Sequence, residues 1–361
     1  MNKLITFLAL FLCSCLIVAA QDTATTTPLL TWSGAAETYY SYDFNREVGN
    51  DYPAFVYSHH HHNELDINLA YIKAAFATTN LRANIAFGTG TYMNVNYASA
   101  PGVFRNTYEA NTGIKLLRKR AVWLDAGVLP SHIGLEGALN TVNATLTRSI
   151  LAENSPYYET GVRLSSTSNS GKWYLAALVL NGWQRVQRVP GSNATNAGTQ
   201  VSFTPSGKLS VNYSTFVGSD FPDSVRRWRH FHNLYTAITA SSRLTVFAGA
   251  DYGLQQSKKN SDTWHPWYGA VLIARYKLTE KLAAAARTEY FSDRDSVIVN
   301  IGHPDGLAAV GGSLNVDYRI NKYAIWRVES KMLSAPDAIF VTRKNPSRND
   351  VTLTTSLTIS F

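Results

Sequence analysis

The sequence predicts an all-β fold, a transmembrane antiparallel up-and-down β-barrel of about 16 strands, with a range of about 14–18. Apolar and polar residues alternate with a period of two along most of the chain, as expected for strands. The connections between these segments alternate between tight turns and long polar loops. Seven tight turns fall near residues 79–80, 119, 170–171, 205–207, 241–242, 280 and 321–322, and eight long loops near 46–63, 94–107, 130–156, 186–198, 219–226, 256–263, 293–308 and 334–349. Outer-membrane barrels place short turns at the periplasmic rim and long loops at the extracellular rim.

Residues 1–20 are predicted to be a secretory signal peptide that is cleaved. Lys3 supplies the positive start, residues 4–18 form an apolar run, and Val18-Ala19-Ala20 provides a small-residue cleavage site. The run is shorter than a membrane-spanning helix usually needs, and no later segment approaches about 18 uninterrupted apolar residues. We therefore assign residues 21–361 to a single outer-membrane β-barrel.

Both cysteines of the chain, Cys13 and Cys15, lie inside this predicted leader. Cleavage after Ala20 leaves a chain without a disulfide or a thiolate metal site. An alternative remains open, because Leu12-Cys13-Ser14-Cys15 loosely resembles a lipoprotein-processing box, which would make Cys15 a lipidated N-terminus.

The clearest predicted strand is the last one, residues 350–361. Val351, Leu353, Leu357, Ile359 and Phe361 share one face, and the opposite face is polar throughout. An apolar face against lipid and a polar face against water produce this pattern in a membrane barrel. The 20 tyrosines and 8 tryptophans fit aromatic girdles at the two membrane interfaces.

The charged residues of the predicted strands share the polar face, which must point inward. A lipid-facing Arg or Lys at mid-membrane costs about 2–4 kcal/mol. So much charge in a wide interior implies water, since burial of unpaired ions is far more costly. The candidate pore-lining residues are Arg82, Arg163, Arg243, Asp251, Arg287, Glu289, Asp317, Arg319, Arg327 and Glu329, with Asp66 beside them.

The third long loop, residues 130–156, has an unusual composition for an exposed connection. Val142, Leu146, Ile150 and Leu151 recur at helical spacing within it. We expect the loop to fold into the barrel, pack on the wall and narrow the pore. The candidate charges at the constriction are Glu136, Arg148 and Glu153. The alternative is a short helix resting across the external mouth.

Two segments resemble a known family. Residues 147–164, TRSILAENSPYYETGVRL, and residues 63–76, NELDINLAYIKAAF, are similar to segments of the β-barrel porin-2 (OmpL-like) family of outer-membrane proteins. The resemblance implies an outer-membrane barrel with a pore function, and its motifs are structural. The aromatic end of the chain, Phe361, also resembles the terminal signal by which the barrel-assembly machinery recognises outer-membrane proteins.

Residues 71–76 and 172–182 are apolar at both parities, unlike the other strands. Either segment is explained by a loop that covers its inner face or by the subunit interface of a homo-oligomer, and both explanations stay open.

The remaining chemical signals are weak. His59, His60, His61 and His62 form a run in the first long loop, for which we expect an exposed, flexible segment without a defined metal site. No nucleophile, metalloprotease or phosphate-loop motif occurs, so the sequence predicts neither enzyme nor cofactor. The 33 Lys and Arg against 25 Asp and Glu are too dispersed for nucleic-acid binding.

The sequence therefore predicts a porin of the bacterial outer membrane, in contact with its lipid. The expected function is passive diffusion of small hydrophilic solutes, with selectivity set by lumen charges. One alternative is a barrel scaffold without an open pore, whose extracellular loops bind a surface partner or a glycan. A soluble secreted β-protein is a third possibility, which fractionation with detergent would distinguish.

Overall fold

A closed barrel of sixteen antiparallel strands, with its connecting loops, makes up the part of the chain that the structure describes. The structure, a computed structural model, describes residues 28–46, 51–53, 55–343 and 345–361. The predicted leader, residues 1–20, lies outside the described residues. Each strand pairs with its neighbours in sequence, and β1 pairs with β16 to close the barrel. The strands are β1 Leu29–Asp43, β2 Leu65–Ala77, β3 Leu81–Thr89, β4 Thr107–Lys115, β5 Ala121–Pro130, β6 Tyr158–Thr167, β7 Trp173–Leu180, β8 Asn196–Ser206, β9 Leu209–Gly218, β10 Arg229–Thr239, β11 Leu244–Gln256, β12 Trp264–Lys277, β13 Leu282–Asp293, β14 Leu307–Arg319, β15 Ala324–Ser334 and β16 Asn349–Ser360.

Within the described residues, helix is confined to the loops. Two short α-helices, α1 Thr91–Asn96 and α2 Ile150–Glu153, accompany 3-10 turns at Gly102–Asn106, Asn140–Val142 and Asp223–Val225. Of the helices that the structure describes, none combines the length and apolar composition needed to span a bilayer.

The predicted alternation of connections is confirmed. Seven short turns lie at the end of the barrel where β1 begins and β16 ends, and eight long loops lie at the other end. We name the loops L1 (44–64), L2 (90–106), L3 (131–157), L4 (181–195), L5 (219–228), L6 (257–263), L7 (294–306) and L8 (335–348). In an outer membrane the turn end faces the periplasm and the loop end faces outward.

The outer face of the barrel is apolar and the inner face is polar, as the period of two predicts. On β16, Leu353, Leu357 and Ile359 are exposed on the outside, whereas Ser356 and Thr358 are buried on the inside. Alternate side chains of each strand therefore face lipid on the outside and the lumen on the inside.

Aromatic side chains on the outer face form two belts, as predicted. Tyr268 lies near the loop end of β12 and Tyr276 near its turn end, and both rings are exposed. Eight residues of strand measure about 26 Å, which a tilt of about 40° reduces to about 20 Å of membrane height. That height is comparable to the apolar band of an outer-membrane barrel. The other exposed belt residues include Trp32, Trp173, Tyr318 and Trp326 at the turn end and Tyr40, Tyr252 and Tyr290 at the loop end.

The last residue closes the barrel. Phe361 and Gly34 exchange two backbone hydrogen bonds of 3.0 Å, which extend the pairing of β16 with β1. A Cβ atom at Gly34 would stand 2.7 Å from the Phe361 ring and 2.9 Å from the Tyr71 carbonyl oxygen. Glycine is therefore required for the terminal aromatic ring to lie against β1.

Candidate functional site: the lumen and its third loop

L3 turns into the barrel and crosses the lumen, as the sequence analysis expects. Its first anchor is His132, whose Nδ1 lies 2.6 Å from a carboxylate oxygen of Glu159 on β6. The Nε2 atom lies 2.8 Å from the Thr215 carbonyl oxygen on β9. Only a doubly protonated imidazole can donate to both acceptors. Burial alone would lower the pKa of His132, but Glu159 and the Thr215 carbonyl outweigh it and raise that pKa.

On the opposite wall, cationic side chains bind the backbone carbonyls of L3. The Arg327 guanidinium on β15 donates to the carbonyl oxygen of Asn140 at 2.5 Å and to that of Ala144 at 3.2 Å. Arg287 on β13 donates to the Thr147 carbonyl at 2.6 Å. These bonds satisfy backbone groups that a buried loop cannot present to water.

Carboxylates of the same wall accept the backbone N–H groups of L3. Glu289 on β13 accepts from Ile150 N at 2.6 Å, and Glu329 on β15 accepts from Thr147 N at 2.6 Å. The cationic and anionic side chains of the wall therefore hold residues 140–150 of the loop backbone between them. That arrangement fixes L3 against β13–β15.

The wall charges under L3 also pair with one another. Arg287 Nη2 lies 3.0 Å from Glu329 Oε1, and Lys331 Nζ lies 3.1 Å from Glu289 Oε1. Arg327 Nε lies 2.6 Å from Asp317 Oδ1. The predicted pore-lining residues Arg287, Glu289, Asp317, Arg327 and Glu329 thus face inward but are buried under the loop. The prediction that these interior charges face water is wrong for this set, because ion pairing and loop backbone take the place of water.

The apolar side chains of L3 pack on the remaining wall. Ile133, Ile150 and Leu151 are buried in a cluster with inner-face side chains of β7–β14, including Trp267 and Phe291. Ala176, Leu178 and Leu180 on the inner face of β7 belong to the same cluster. Of the two explanations for the apolar segment 172–182, coverage of its inner face is therefore confirmed. The helical spacing within L3 is only partly realised, since helix is limited to Asn140–Val142 and α2.

The predicted constriction charges are buried and paired. Arg148 Nη2 lies 3.0 Å from Glu153 Oε2, and its guanidinium carbon lies 3.9 Å from the centre of the Tyr157 ring. Burial alone would lower the pKa of Arg148, but Glu153 together with Tyr157 and Tyr92 outweighs burial and raises that pKa. Glu136 accepts a hydrogen bond from Ser149 N at 3.0 Å, and burial raises the pKa of its carboxyl group. Such residues set the position of L3 more than they present charge to a solute.

L1 covers L3 from the loop end. Tyr57 N donates to a Glu153 carboxylate oxygen at 3.0 Å, and Asn154 Nδ2 donates to the Phe55 carbonyl at 3.3 Å. The histidine run is not the exposed, flexible segment that the sequence analysis expects. His59 is buried against Glu37 of β1 at 2.6 Å, and His62 is buried and accepts from Asp43 N at 2.8 Å.

Two of the spaces beside L3 bear on solute passage. One is a vestibule of about 380 Å³ at the loop end, lined among others by Tyr57, Trp183, Arg185, Asp220 and Arg229. The other, of about 440 Å³, separates residues 133–138 of L3 from the wall of β2 and β4. We call the second space the lateral gap.

The wall of the lateral gap carries Tyr71, Lys73, Tyr108 and Glu109. The rings of Tyr71 and Tyr108 stack with centroids 5.0 Å apart, and Lys73 Nζ lies 2.5 Å from Glu109 Oε2. The Lys73 side chain is 27% exposed and that of Glu109 is 7% exposed. The cation therefore reaches into the gap while the carboxylate stays against the wall.

The turn-end half of the lumen repeats this arrangement. Asp125 on β5 lies 2.6 Å from Arg82 on β3 and 3.3 Å from Arg163 on β6. On the far wall Asp317 lies 2.6 Å from both Arg275 on β12 and Arg327 on β15. Each carboxylate is shared by two arginines, so each group of three has a net charge of +1.

The other predicted site residues lie at the ends of the strands or take neutral partners. Arg319 at the end of β14 and Arg243 in the turn before β11 are exposed at the turn end. Asp251 on β11 is buried and accepts from Asn233 Nδ2 at 2.6 Å. Asp66, at the loop end of β2, lies 2.6 Å from His61.

The residues that sequence reasoning missed are single charges inside apolar strands. Lys73 in YIKAAF, Asp125 in VWLDAGV and Arg275 in LIARYK each stand alone among apolar neighbours. One charge at the inward parity of an otherwise apolar strand is the signal that would have found them.

A closed sixteen-stranded barrel, apolar outside and entered by its third loop, defines the class of outer-membrane porins. The chain belongs to the family described as "Putative beta-barrel porin-2, OmpL-like", whose model matches residues 29–361. It is therefore an outer-membrane porin.

Solved porin structures share the fold at low sequence identity. The anion-selective porin from Comamonas acidovorans is 9% identical with a TM-score of 0.61, and the match covers 93% of this chain and all of that one. OmpT of Vibrio cholerae is 10% identical with a TM-score of 0.59, covering 95% of this chain and 100% of that chain. The DcaP channel of Acinetobacter baumannii is 11% identical with a TM-score of 0.59, covering 95% and 100%. Comparison with curated protein sequences finds no match.

Proposed function

We propose that this porin conducts small solutes through the lateral gap and prefers anions over cations. The path runs from the loop-end vestibule, past the residues 133–138 of L3, into the turn-end half of the lumen. L3 is bound to β13–β15 and packed on the inner face of β7–β14, so the side next to β2 and β4 is where space remains.

One observation carries the anion preference. In the pairs Lys73–Glu109, Arg82–Asp125 and Arg275–Asp317, which lie below the vestibule, the cation is more exposed than its carboxylate. Arg82 is 32% exposed against 1% for Asp125, and Arg275 is 32% exposed against 3% for Asp317. An ion in the lumen therefore lies closer to the guanidinium than to the carboxylate. Because electrostatic interaction weakens with distance, the repulsion of cations and attraction of anions by the guanidinium exceed the opposite effects of the carboxylate.

Under this proposal the pore-lining charges are Arg82, Arg163, Arg275 and Lys73, with Arg243 and Arg319 at the turn-end mouth. The buried set under L3 (Arg287, Glu289, Arg327, Glu329 and Lys331) has a different proposed role, which is to fix the loop and thereby the width of the gap. The anion-selective porin from Comamonas acidovorans supports the proposal only as a barrel of the same fold with that selectivity.

The test is the zero-current potential of the purified protein in a planar bilayer under a KCl gradient. We expect a potential with the sign of chloride selectivity, and a smaller value at high salt because lumen charges are screened. A potential of the opposite sign would contradict the proposed preference.

A closed barrel is the second candidate function, favoured by the extent to which L1 and L3 fill the lumen. In that case the external loops bind a surface partner or a glycan, and folded protein inserts without conductance. Homo-oligomerisation stays a prediction for this chain; OmpT of Vibrio cholerae, which shares the fold, has a trimer form.

A further inference from the structure

We propose that His61, Glu64 and Asp66 form a binding site for a divalent transition-metal ion at the loop end of β2. This site is independent of solute passage. The three side chains offer one imidazole nitrogen and two carboxylate oxygens, and these atoms all lie within 4.8 Å of one another. Imidazole with carboxylate is a ligand set that suits Zn²⁺ and the neighbouring first-row ions.

The two carboxylates converge on the same atom of His61. Nδ1 lies 2.8 Å from Glu64 Oε1 and 2.6 Å from Asp66 Oδ2. A single N–H proton can satisfy only one acceptor well, so the carboxylate of the half-exposed Glu64 must take its other partners from water. A divalent ion in place of the proton would bind all three atoms, each at about 2.0–2.2 Å.

The surrounding charge favours a cation. Asp51 Oδ1 lies 3.6 Å from Nε2 of His61, so three carboxylates surround one imidazole. Among the described residues, these carboxylates form ion pairs within 4 Å with histidines alone and with no Lys or Arg. Asp51 also stands where a carboxylate commonly orients a metal-bound histidine through its other ring nitrogen.

The backbone holds the three ligands in place without closing the site to water. His61 N donates to the Tyr39 hydroxyl at 3.0 Å, and Asn63 makes the turn with a φ of 60°. Asp66 lies on β2, and its side chain is 31% exposed against 32% for His61 and 50% for Glu64. An ion can therefore enter from the extracellular side, and Glu64 can adjust to it.

The rest of the histidine run does not share this site. His59 and His62 are buried against Glu37 and Asp43, and His60 Nδ1 lies 2.8 Å from the Val56 carbonyl oxygen. A second group of possible ligands, His303, Asp305 and Asp337, differs because Arg294 lies 3.3 Å from Asp337. In addition His303 Nδ1 accepts from Asp305 N. That group provides a matched control.

The experiment is calorimetric titration of detergent-folded protein, prepared without a polyhistidine tag, with ZnCl₂. We expect one Zn²⁺ site per chain whose affinity falls more than about tenfold in H61A and in H61Q, since even an orienting partner of a ligand is worth about tenfold or more. E64Q and D66N should each weaken it, while H60A and H303A should keep it. Heat-modifiable gel mobility checks that each variant is folded.

Two results would overturn the proposal. The first is wild-type protein without a stoichiometric Zn²⁺ site. The second is a site that survives in H61A, or that is lost equally in H60A, because binding would then belong to the histidine run and not to the cluster with Glu64 and Asp66.

Discussion

Arg82 and Asp125 lie 2.6 Å apart on the inner wall, yet a third of the arginine side chain is exposed and almost none of the carboxylate. The Arg82 guanidinium also lies over the Trp123 ring at 4.3 Å, which holds it away from the wall. The pair is therefore asymmetric toward a solute in the lumen. The Arg82–Asp125 pair has no net charge, but the charge that it exposes to the lumen is the positive one of Arg82.

This asymmetry predicts the effect of charge removal. Arg82→Gln should lower the anion-to-cation permeability ratio by up to about sixfold at low salt, because a unit charge about 8 Å away in water stabilises an anion and destabilises a cation by about 0.5 kcal/mol each. Asp125→Asn should raise the ratio. Lys281→Gln, an exposed charge in the turn between β12 and β13, is the matched control and should leave the ratio unchanged. An unaltered permeability ratio in Arg82→Gln would show that Arg82 does not line the conduction path.

The anchoring of L3 predicts a large stability cost at Arg287. Arg287→Met leaves Glu289 and Glu329 buried with less compensation, so we expect a loss of about 3–5 kcal/mol. Arg294→Met is the control, since the Arg294–Asp337 pair is exposed and worth about 0–1 kcal/mol. Urea unfolding in detergent measures both. Equal losses would mean that the buried network does not hold the loop.

The His132 anchor predicts a dependence on pH. Its pKa is raised in the folded protein, so protonation of this residue stabilises the fold. That contribution is fully present below the unfolded-state pKa of about 6.5 and is lost as the pH rises through the raised folded value. The difference in thermal midpoint between wild type and His132→Gln should therefore shrink from about pH 6 upward. If the difference in thermal midpoint between wild type and His132→Gln grew with pH, the stabilising role of protonated His132 would be contradicted.

The lipid-facing parity predicts the cost of charge on the outer wall. Leu314, in the middle of β14, is 70% exposed on the outside. Leu314→Lys should destabilise the folded barrel by about 2–4 kcal/mol in lipid. Thr245→Lys on the inner face of β11 should cost much less. Unfolding in lipid vesicles measures the free energy of unfolding of both variants. Similar losses would contradict the assignment of Leu314 to lipid and Thr245 to the lumen.

The strands could be predicted because apolar and polar residues alternate within each one. β16, for example, is recognisable from residues 350–361 alone. The inward turn of L3 could be predicted from its apolar residues. Burial of Arg287 could not, because its partners are the Thr147 carbonyl, 140 positions away, and Glu329, 42 positions away. Local sequence carries no sign of a backbone group supplied from so far along the chain.

The histidine run shows the same limit at short range. Four identical neighbours take different partners, because His59 faces Glu37 on β1 whereas His61 faces Asp66 on β2. A run of one residue type suggests one shared site, but the fold of L1 distributes the rings. The ligand set around His61 depends on strands that only the barrel brings together.

The most direct test of the proposed path uses a single cysteine in the lateral gap. Ala138 in L3 lines the gap, and both native cysteines lie in the predicted leader. A trimethylammonium methanethiosulfonate reagent should block single-channel current in Ala138→Cys and leave Thr263→Cys, exposed in L6, unaffected. Persistent current in labelled Ala138→Cys would contradict a path between L3 and the wall of β2 and β4.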